Sequence, residues 1–249
     1  MRVRGALHVH SSHSHDGTMT IAEIGKWFRS RGFQFVAMGE HSQDMSEEKV
    51  SSLREQCSAE SAADFCLIPG IEYSCQPAGM HILGVGALGS YRGPDPVEAA
   101  RCIRSEGGFA VLAHPRRIGW SCSDDLARAV HAVEIWNLAY DGKFLPPVQA
   151  PSGFERMQRQ NPELLAVASH DAHRTVGFYD VGIEMETPAL TRDAIVARLQ
   201  EGHYRIQSRY FSAGPREPFA RGKAFYVPFL SAQLSTLRKI RTMWLRWSA

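Results

Sequence analysis

The sequence predicts a barrel-like α/β domain, and three observations carry that expectation. Short apolar runs of strand character alternate with helix signals along most of the chain, which implies a mostly parallel sheet. Residues of metal-ligand type fall mainly just after those runs, as they would where strand ends converge on one mouth of a closed barrel. Eight candidate strands suit a barrel better than an open sheet, and no dinucleotide Gly-x-Gly-x-x-Gly or phosphate loop points elsewhere. A length of 249 residues is compatible with one domain and one large core. We assign that domain to residues 1–205 and a C-terminal extension to residues 206–249.

Taken in order, residues 3–7 read as the first strand, leading into His8-Val9-His10-Ser11-Ser12-His13-Ser14-His15-Asp16-Gly17. A period of two along an extended chain puts His8 and His10 on one face, a natural ligand pair for zinc, manganese or iron. A lone His-x-His would suit a surface loop or a tag remnant better; the rest of the chain changes that. Thr20, with Glu23 three residues on, caps a helix through Arg31, and Gly32 stops it. Ile21, Ile24, Trp27 and Phe28 recur there at helical spacing. Strand 33–38 ends in Gly39-Glu40-His41, a polar helix spans 46–63, and strand 65–71 ends at Glu72. Strand 80–87 carries His81 near its start. A helix over 95–106 leads into strand 109–113, which delivers His114-Pro115-Arg116-Arg117, where Pro115 turns the chain outward. Strand 132–136 ends at Asn137, and the proline-rich residues 139–151 read as a loop over the site. Strand 164–168 ends in Ser169-His170-Asp171-Ala172-His173-Arg174, and strand 181–185 precedes a helix over 191–201 closed by Gly202.

Composition is that of an ordinary globular protein, so neither disorder nor a fibrous repeat is expected. No charged-then-apolar leader and no run long enough to cross a bilayer is visible. Five scattered cysteines without a Cys-x-x-Cys pair suggest reduced thiols, and we expect a cytoplasmic protein. The net charge of +2 hides an asymmetry. Beyond Glu217 there is no acid, while Arg221, Lys223, Arg238, Lys239, Arg241 and Arg246 are basic. Removing those six from the 28 basic residues leaves 22 against 26 acidic ones, a net of −4. Such a body is unlike a protein that grips nucleic acid over its whole surface.

His8, His10, Asp16, His41, Glu72, His81, His114, Asp171 and His173 thus form an ordered set at or near strand ends. Taken singly, His81 could be a core histidine, Glu72 an ordinary strand-end acid, and Asp171 and His173 a turn cap. Nine ordered coincidences leave those readings untenable. In order and placement the sequence resembles the PHP (polymerase and histidinol phosphatase) family of metal-dependent phosphoesterases. That family's pattern of His-x-His, Asp or His, His, Glu, His, His and a closing Asp-x-His is met from about Arg2 to His203. Glu40 departs from it, since many members carry Asp before the second-motif histidine.

The resemblance implies a distorted TIM-like (β/α)7–8 barrel, a hydrolase acting on phosphoric ester bonds, and three adjacent divalent ions. By analogy, His8, His10, Glu72 and Asp171 would hold the first ion, with Glu72 bridging to a second held by His81 and His114. Asp16, His41 and His173 would hold the third, and Asp16, Glu72, Asp171 and His173 would carry the catalysis. Mixed imidazole and carboxylate donors suit zinc, manganese or iron and not calcium. Such a centre activates water and clamps phosphoryl oxygens. Outside the pattern, His15 could compete with Asp16 as a ligand, and His13 or His170 could orient substrate or protonate the leaving group.

Arg116 and Arg117 follow a ligand histidine and could grip phosphate in a bidentate fork, Arg117 being preferred and Arg174 a further candidate. Asn137 could contact substrate, while Trp136 reads as packing. In the tail, Leu230, Leu234, Leu237, Ile240, Trp244 and Trp247 recur at helical spacing among basic residues. Residues 228–249 could therefore pack on the barrel, or lie on an anionic membrane at its inner face, or meet a protein partner. The expected reaction is hydrolysis of a small phosphorylated metabolite or nucleotide. A phosphodiesterase acting on oligonucleotides is the runner-up, nucleic acid being disfavoured by the acidic body. Hydrolysis of a carbamate or ester comes third, and a non-catalytic metal-stabilised module is the alternative from another class.

Overall fold

The apolar runs fold into a mixed α/β architecture built on two six-stranded sheets. The computed structural model describes residues 1–76, 78–175, 180–220, 223, 226–234 and 236. In chain order the strands are β1 (Arg2–Val9), β2 (Phe35–Met38), β3 (Glu40–His41), β4 (Cys66–Ile68), β5 (Gly70–Cys75), β6 (Met80–Val85), β7 (Phe109–Ala113), β8 (Ala132–Asn137), β9 (Leu165–Ser169), β10 (Val181–Glu186), β11 (Tyr204–Ser208) and β12 (Ser212–Ala213). The helices are α1 (Ile21–Arg29), α2 (Glu47–Glu60), α3 (Pro96–Ser105), α4 (Asp124–Ala129), α5 (Ala150–Gln160) and α6 (Arg192–Glu201). One sheet has the order β12-β11-β10-β1-β2-β4 and the other β3-β5-β6-β7-β8-β9.

Local signals place most of these elements. The Thr20 hydroxyl accepts from the Glu23 N–H while the Glu23 carboxylate accepts from the Thr20 N–H, a complete capping box. α1 ends at Arg29, two residues before the expected end, and buries Ile21, Ile24 and Phe28. The expected strand over 65–71 is split at Pro69, which has no N–H for the ladder, so β4 stays in one sheet and β5 begins the other. Five elements lie outside the expected ones: β3, α4, α5, β11 and β12.

The sheets are not mostly parallel. β1–β2, β2–β4, β3–β5, β7–β8 and β8–β9 are parallel, whereas β1–β10, β10–β11, β11–β12, β5–β6 and β6–β7 are antiparallel. The physical reason for β6 is simple, because the few residues between Cys75 and Met80 cannot make a crossover. That reversal has a functional consequence. Since β6 runs against its neighbours, its first residues pair with the last ones of β5 and β7, Ser74 with His81 and His81 with Ala113. A histidine at a strand start thereby reaches the edge where the others lie at strand ends. The two sheets meet again at an isolated parallel bridge between Val9 and Ala172.

Residues 226–234 are helical. Val227 is buried there, and the Ser231 hydroxyl donates to the Pro146 carbonyl at 2.6 Å. Leu237, Ile240, Trp244, Trp247 and the basic residues among them lie outside the described residues. Among the described residues no helix is long and apolar enough to cross a membrane.

His131 closes the start of β8 against β7. Its N–H donates to the Ala110 carbonyl at 2.9 Å, and its Nδ1 accepts from the Ala110 N–H at 3.0 Å. The second bond requires a neutral ring, and burial, helped by the Arg104 charge, lowers the His131 pKa to about 4. Below the ordinary value near 6.5 the unfolded chain takes up a proton that the folded chain refuses. Stability is therefore expected to fall as pH drops from 6.5 toward 4. Urea unfolding across that window should show a shallower loss for His131→Asn, which keeps an acceptor without titrating. Parallel curves for the two proteins would contradict this account.

Candidate metal centre

The site is assembled around Glu72 on β5, a carboxylate almost wholly removed from solvent. Its Oε1 lies 2.8 Å from His81 Nδ1, 2.9 Å from His114 Nε2 and 3.3 Å from His8 Nε2. Its Oε2 lies 2.9 Å from His41 Nδ1 and 3.8 Å from His10 Nε2. Asp171 approaches from the opposite side, with Oδ1 at 3.3 Å from His10 Nε2 and 3.7 Å from both His8 Nε2 and His173 Nδ1. Asp16 lies at the mouth, half exposed, 3.2 Å from His41 Nε2 and 3.3 Å from His173 Nε2. All nine residues of the expected set thus meet in one place.

The route to that meeting differs from simple strand alternation. His8 lies inside β1 with φ of 63°, and the β1–β2 register slips between Ala6 and Val9. The bulge, not a regular period of two, aims both rings at Glu72, with their centroids 5.0 Å apart. Of the four non-glycine residues with positive φ among the described residues, three are in the set: His8, His114 at 29° and Asp171 at 48°. Such backbone costs on the order of 1 kcal/mol or more per residue and persists only where surroundings enforce it. One enforcing feature is Gly39. A Cβ there would lie 2.8 Å from Leu83 Cδ1 and 2.9 Å from His8 Cδ2.

Two buried acids that sequence reasoning did not place in the site hold it together. Glu134 on β8 accepts from the His114 N–H at 2.7 Å and from Asn137 Nδ2 at 2.8 Å, and its Oε1 lies 2.8 Å from His8 Nδ1. A proton held on His8 Nδ1 by Glu134 leaves the Nε2 lone pair free to ligate a cation on the side of Glu72 and Asp171. An acid in the apolar run Ala132-Val133-Glu134-Ile135-Trp136 was the available signal, since a buried charge needs partners. Glu40, the departure noted above, accepts from the Ser11 N–H at 2.9 Å and from the Ser11 and Ser14 hydroxyls at 2.6 Å each. It shapes the loop that carries Asp16.

Asn137 is corrected by the structure. It is fully buried, and its Nδ2 donates to Glu134 and, at 3.1 Å, to Asp171, while its Oδ1 accepts from the Ala139 and Tyr140 N–H groups. It orients the site and the adjoining loop and presents nothing to a substrate. His170 is buried with Nε2 2.7 Å from the Val181 carbonyl, packed edge-on against Phe28 and Phe33, and it too faces the core. His15 is exposed, with Nδ1 2.7 Å from Asp44, and its ring lies 5.4 Å from that of His41. Arg116 donates to the Tyr140 carbonyl at 3.0 Å, and the Arg117 guanidinium lies 5.4 Å from the Tyr140 ring centroid. Arg174 is exposed next to His173.

The electrostatics favour a cation. Burial pushes the Glu72 carboxyl up, but the His8 charge and the close imidazoles of His114, His41 and His8 outweigh it and hold it well below the usual range. Asp171 and Glu134 are likewise lowered against their burial, chiefly by His8. Burial disfavours a charged His8, yet Asp171, Glu72 and Glu134 together raise its pKa well above the ordinary value. A field that binds a proton this firmly also suits a divalent ion. The donor atoms fit one: His8 Nε2, His10 Nε2, His41 Nδ1 and His173 Nε2 are buried without a hydrogen bond.

Donor atoms within reach of a single ion form four groups: His8-His10-Glu72, Glu72-His81-His114, His10-His41-His173 and His15-Asp16-His41. The second contains the residues expected for the second ion, and the first contains those expected for the first ion except Asp171, which belongs to none of the four groups. The third and fourth divide the set expected for a third ion, bringing in His10 and His15. Glu134→Gln is expected to weaken metal binding about 10- to 100-fold, because it loosens His8 without removing a donor. Competition with a chromogenic chelator would measure this, and unchanged affinity would remove Glu134 from the centre.

No family model matches this sequence, and no curated protein matches it. Solved structures do. A two-domain protein from Bacteroides vulgatus containing a predicted PHP-like metal-dependent phosphoesterase superimposes with a TM-score of 0.63 at 17% identity, over 93% of this chain and 70% of that one. The lesion-specific endonuclease PfuEndoQ from Pyrococcus furiosus gives 0.57 at 14% identity, over 86% of this chain and 59% of that one. A protein from Bifidobacterium adolescentis assigned as a metal-dependent phosphoesterase gives 0.51 at 16% identity, over 70% of this chain and 89% of that one. The chain shares its fold with PHP-like metal-dependent phosphoesterases.

Proposed function

We propose that this protein is a PHP-type hydrolase that uses divalent metal ions, zinc, manganese or iron, to cleave the phosphomonoester of a small metabolite or nucleotide. The observation that carries this reading is the Glu72 carboxylate with five imidazole nitrogens within 3.8 Å of its two oxygens. A distorted barrel of the PHP type is the matching architecture, with the ligand set at one edge of the strands.

The chain's own residues divide the work. Glu72 and Asp171 carry the buried negative charge that retains cations, while Glu134 and Asn137 fix the first of the histidines and the second carboxylate. Asp16 and His173, at the partly exposed rim, would face an entering phosphoryl group, and Arg117, over the Tyr140 ring, would meet its oxygens. Bound ions supply activated water and charge stabilisation during in-line displacement at phosphorus.

The runner-up, a phosphodiesterase acting on oligonucleotides, is favoured by the likeness in fold to a lesion-specific endonuclease. One experiment separates the two: phosphate release and strand cleavage by metal-loaded protein across phosphorylated metabolites, nucleotides and short oligonucleotides. We expect release from one or a few small monoesters. His8→Ala should lower kcat/KM by on the order of 10²- to 10³-fold, the scale of one lost electrostatic stabiliser. Cleavage confined to oligonucleotides would put the runner-up first. Silence on every substrate, with metal verified as bound, would sink both and favour a metal-stabilised interaction module.

A further inference from the structure

Among the described residues, nine large apolar side chains stand exposed, and all but Met1 belong to three short stretches. Tyr140, Phe144 and Val148 lie in the loop after β8, Tyr210 in the turn between β11 and β12, and Tyr226, Phe229, Leu230 and Leu234 on the helical residues 226–234. Phe229 is 64% exposed and Tyr210 57%. The stretches adjoin one another. The Phe144 and Tyr210 rings meet edge to face at 5.9 Å, Ser231 bonds to Pro146, and Leu234 lines the same cavity as Tyr140, Phe144 and Val148. Scattered apolar side chains on a surface need no explanation, but a contiguous set marks a contact.

The charge of this face is one-sided. The Arg117 guanidinium lies over Tyr140 and that of Arg209 over Tyr210, at 5.4 and 5.6 Å. Asp141, the one acid of residues 139–149, has a buried side chain and sits 3.6 Å from Arg116. Past Glu217 the sequence has six cations and no acid, and the helical spacing that begins at Leu230 continues through Leu237, Ile240, Trp244 and Trp247. Rings and aliphatic groups beside arginines, against a body of net negative charge, match an interface between hydrocarbon and anionic headgroups. Two copies of the chain would bring like charges together on this face. Single-stranded nucleic acid would use the rings for stacking and leave Val148, Leu230 and Leu234 without a partner.

We propose that this face docks on an anionic phospholipid surface. Tyr140 belongs both to the face and to the rim of the metal centre, its ring 5.1 Å from that of His114, so docking turns the mouth of the site toward the headgroup layer. The inference does not depend on the phosphoester reading.

The test is co-sedimentation of the full chain with phosphatidylcholine vesicles with and without phosphatidylglycerol, in low and high salt. We expect partitioning onto the anionic vesicles to exceed that onto neutral ones by about tenfold or more and to fall in high salt. Phe229→Glu with Leu230→Glu should reduce it about tenfold, and Arg209→Glu, at an exposed turn, should reduce it too without disturbing the fold. Equal binding to neutral vesicles, or unchanged binding by both variants, would overturn the proposal. So would a dimer in light scattering that the Phe229 and Leu230 substitutions dissociate, which would give the face to a second copy.

Discussion

The fold depends at its centre on one buried carboxylate and on what must surround it. Removing Glu72 from water costs several kcal/mol unless charge and hydrogen bonds replace hydration. The replacement comes from five imidazoles delivered by four different strands or their ends: His8 and His10 from β1, His41 from β3, His81 from β6 and His114 from β7. No local segment could supply them. The strand order β3-β5-β6-β7 puts His41 in register with Glu72 and brings His81, paired with Ser74 two residues along, to its other side, and the β1 bulge brings the other pair across from the first sheet. The topology and the site are therefore a single requirement.

That requirement is met at a cost in the backbone. His8, His114 and Asp171 adopt left-handed conformations that non-glycine residues avoid. Each is held by a bond that the relaxed conformation would lose: His8 and the His114 N–H to Glu134, and Asp171 to Asn137. Glu134 and Asn137 are both on β8, so one strand outside the expected set bonds three strained members of it, one on β1 and two just past the ends of β7 and β9. Strain of this kind, over-determined by the surroundings, gathers where geometry matters more than stability.

What could be read from the sequence, and what could not, follows from the range of the interactions. The nine residues of ligand type that meet around Glu72 were visible because their chemistry is written in residue type and their order in strand-end positions. The Thr20 cap, the Pro69 break and the stop near Gly32 are local and were equally accessible, although Pro69 was read as continuing a strand. Sheet direction was accessible only in the short connection before β6, which leaves no room for a crossover. The flanking runs look the same in either sense, and His81 at a strand start was a second trace of the reversal. Asn137 illustrates the opposite error. A polar residue at a strand end reads as a substrate contact, whereas its bonds to Glu134 and Asp171 arise only once β8 and β9 are side by side.

The interior and the rim of the site have opposite electrostatic characters, and the two together order the ligands. Inside, Glu72, Asp171 and Glu134 are held ionised chiefly by His8, whose pKa they in turn raise, a balance in which a divalent ion can replace a proton. Outside, Arg116 and Arg117 ring Tyr140 beside His114. An anion meeting the acidic interior alone would be repelled. With cations in place the interior turns attractive, and the guanidinium groups extend that attraction to the surface. On the proposed reading, metal would precede an anionic substrate, and the acidic body of the chain would be no obstacle to it. On that reading the interior carboxylates would serve the metal, and the arginines what the metal binds.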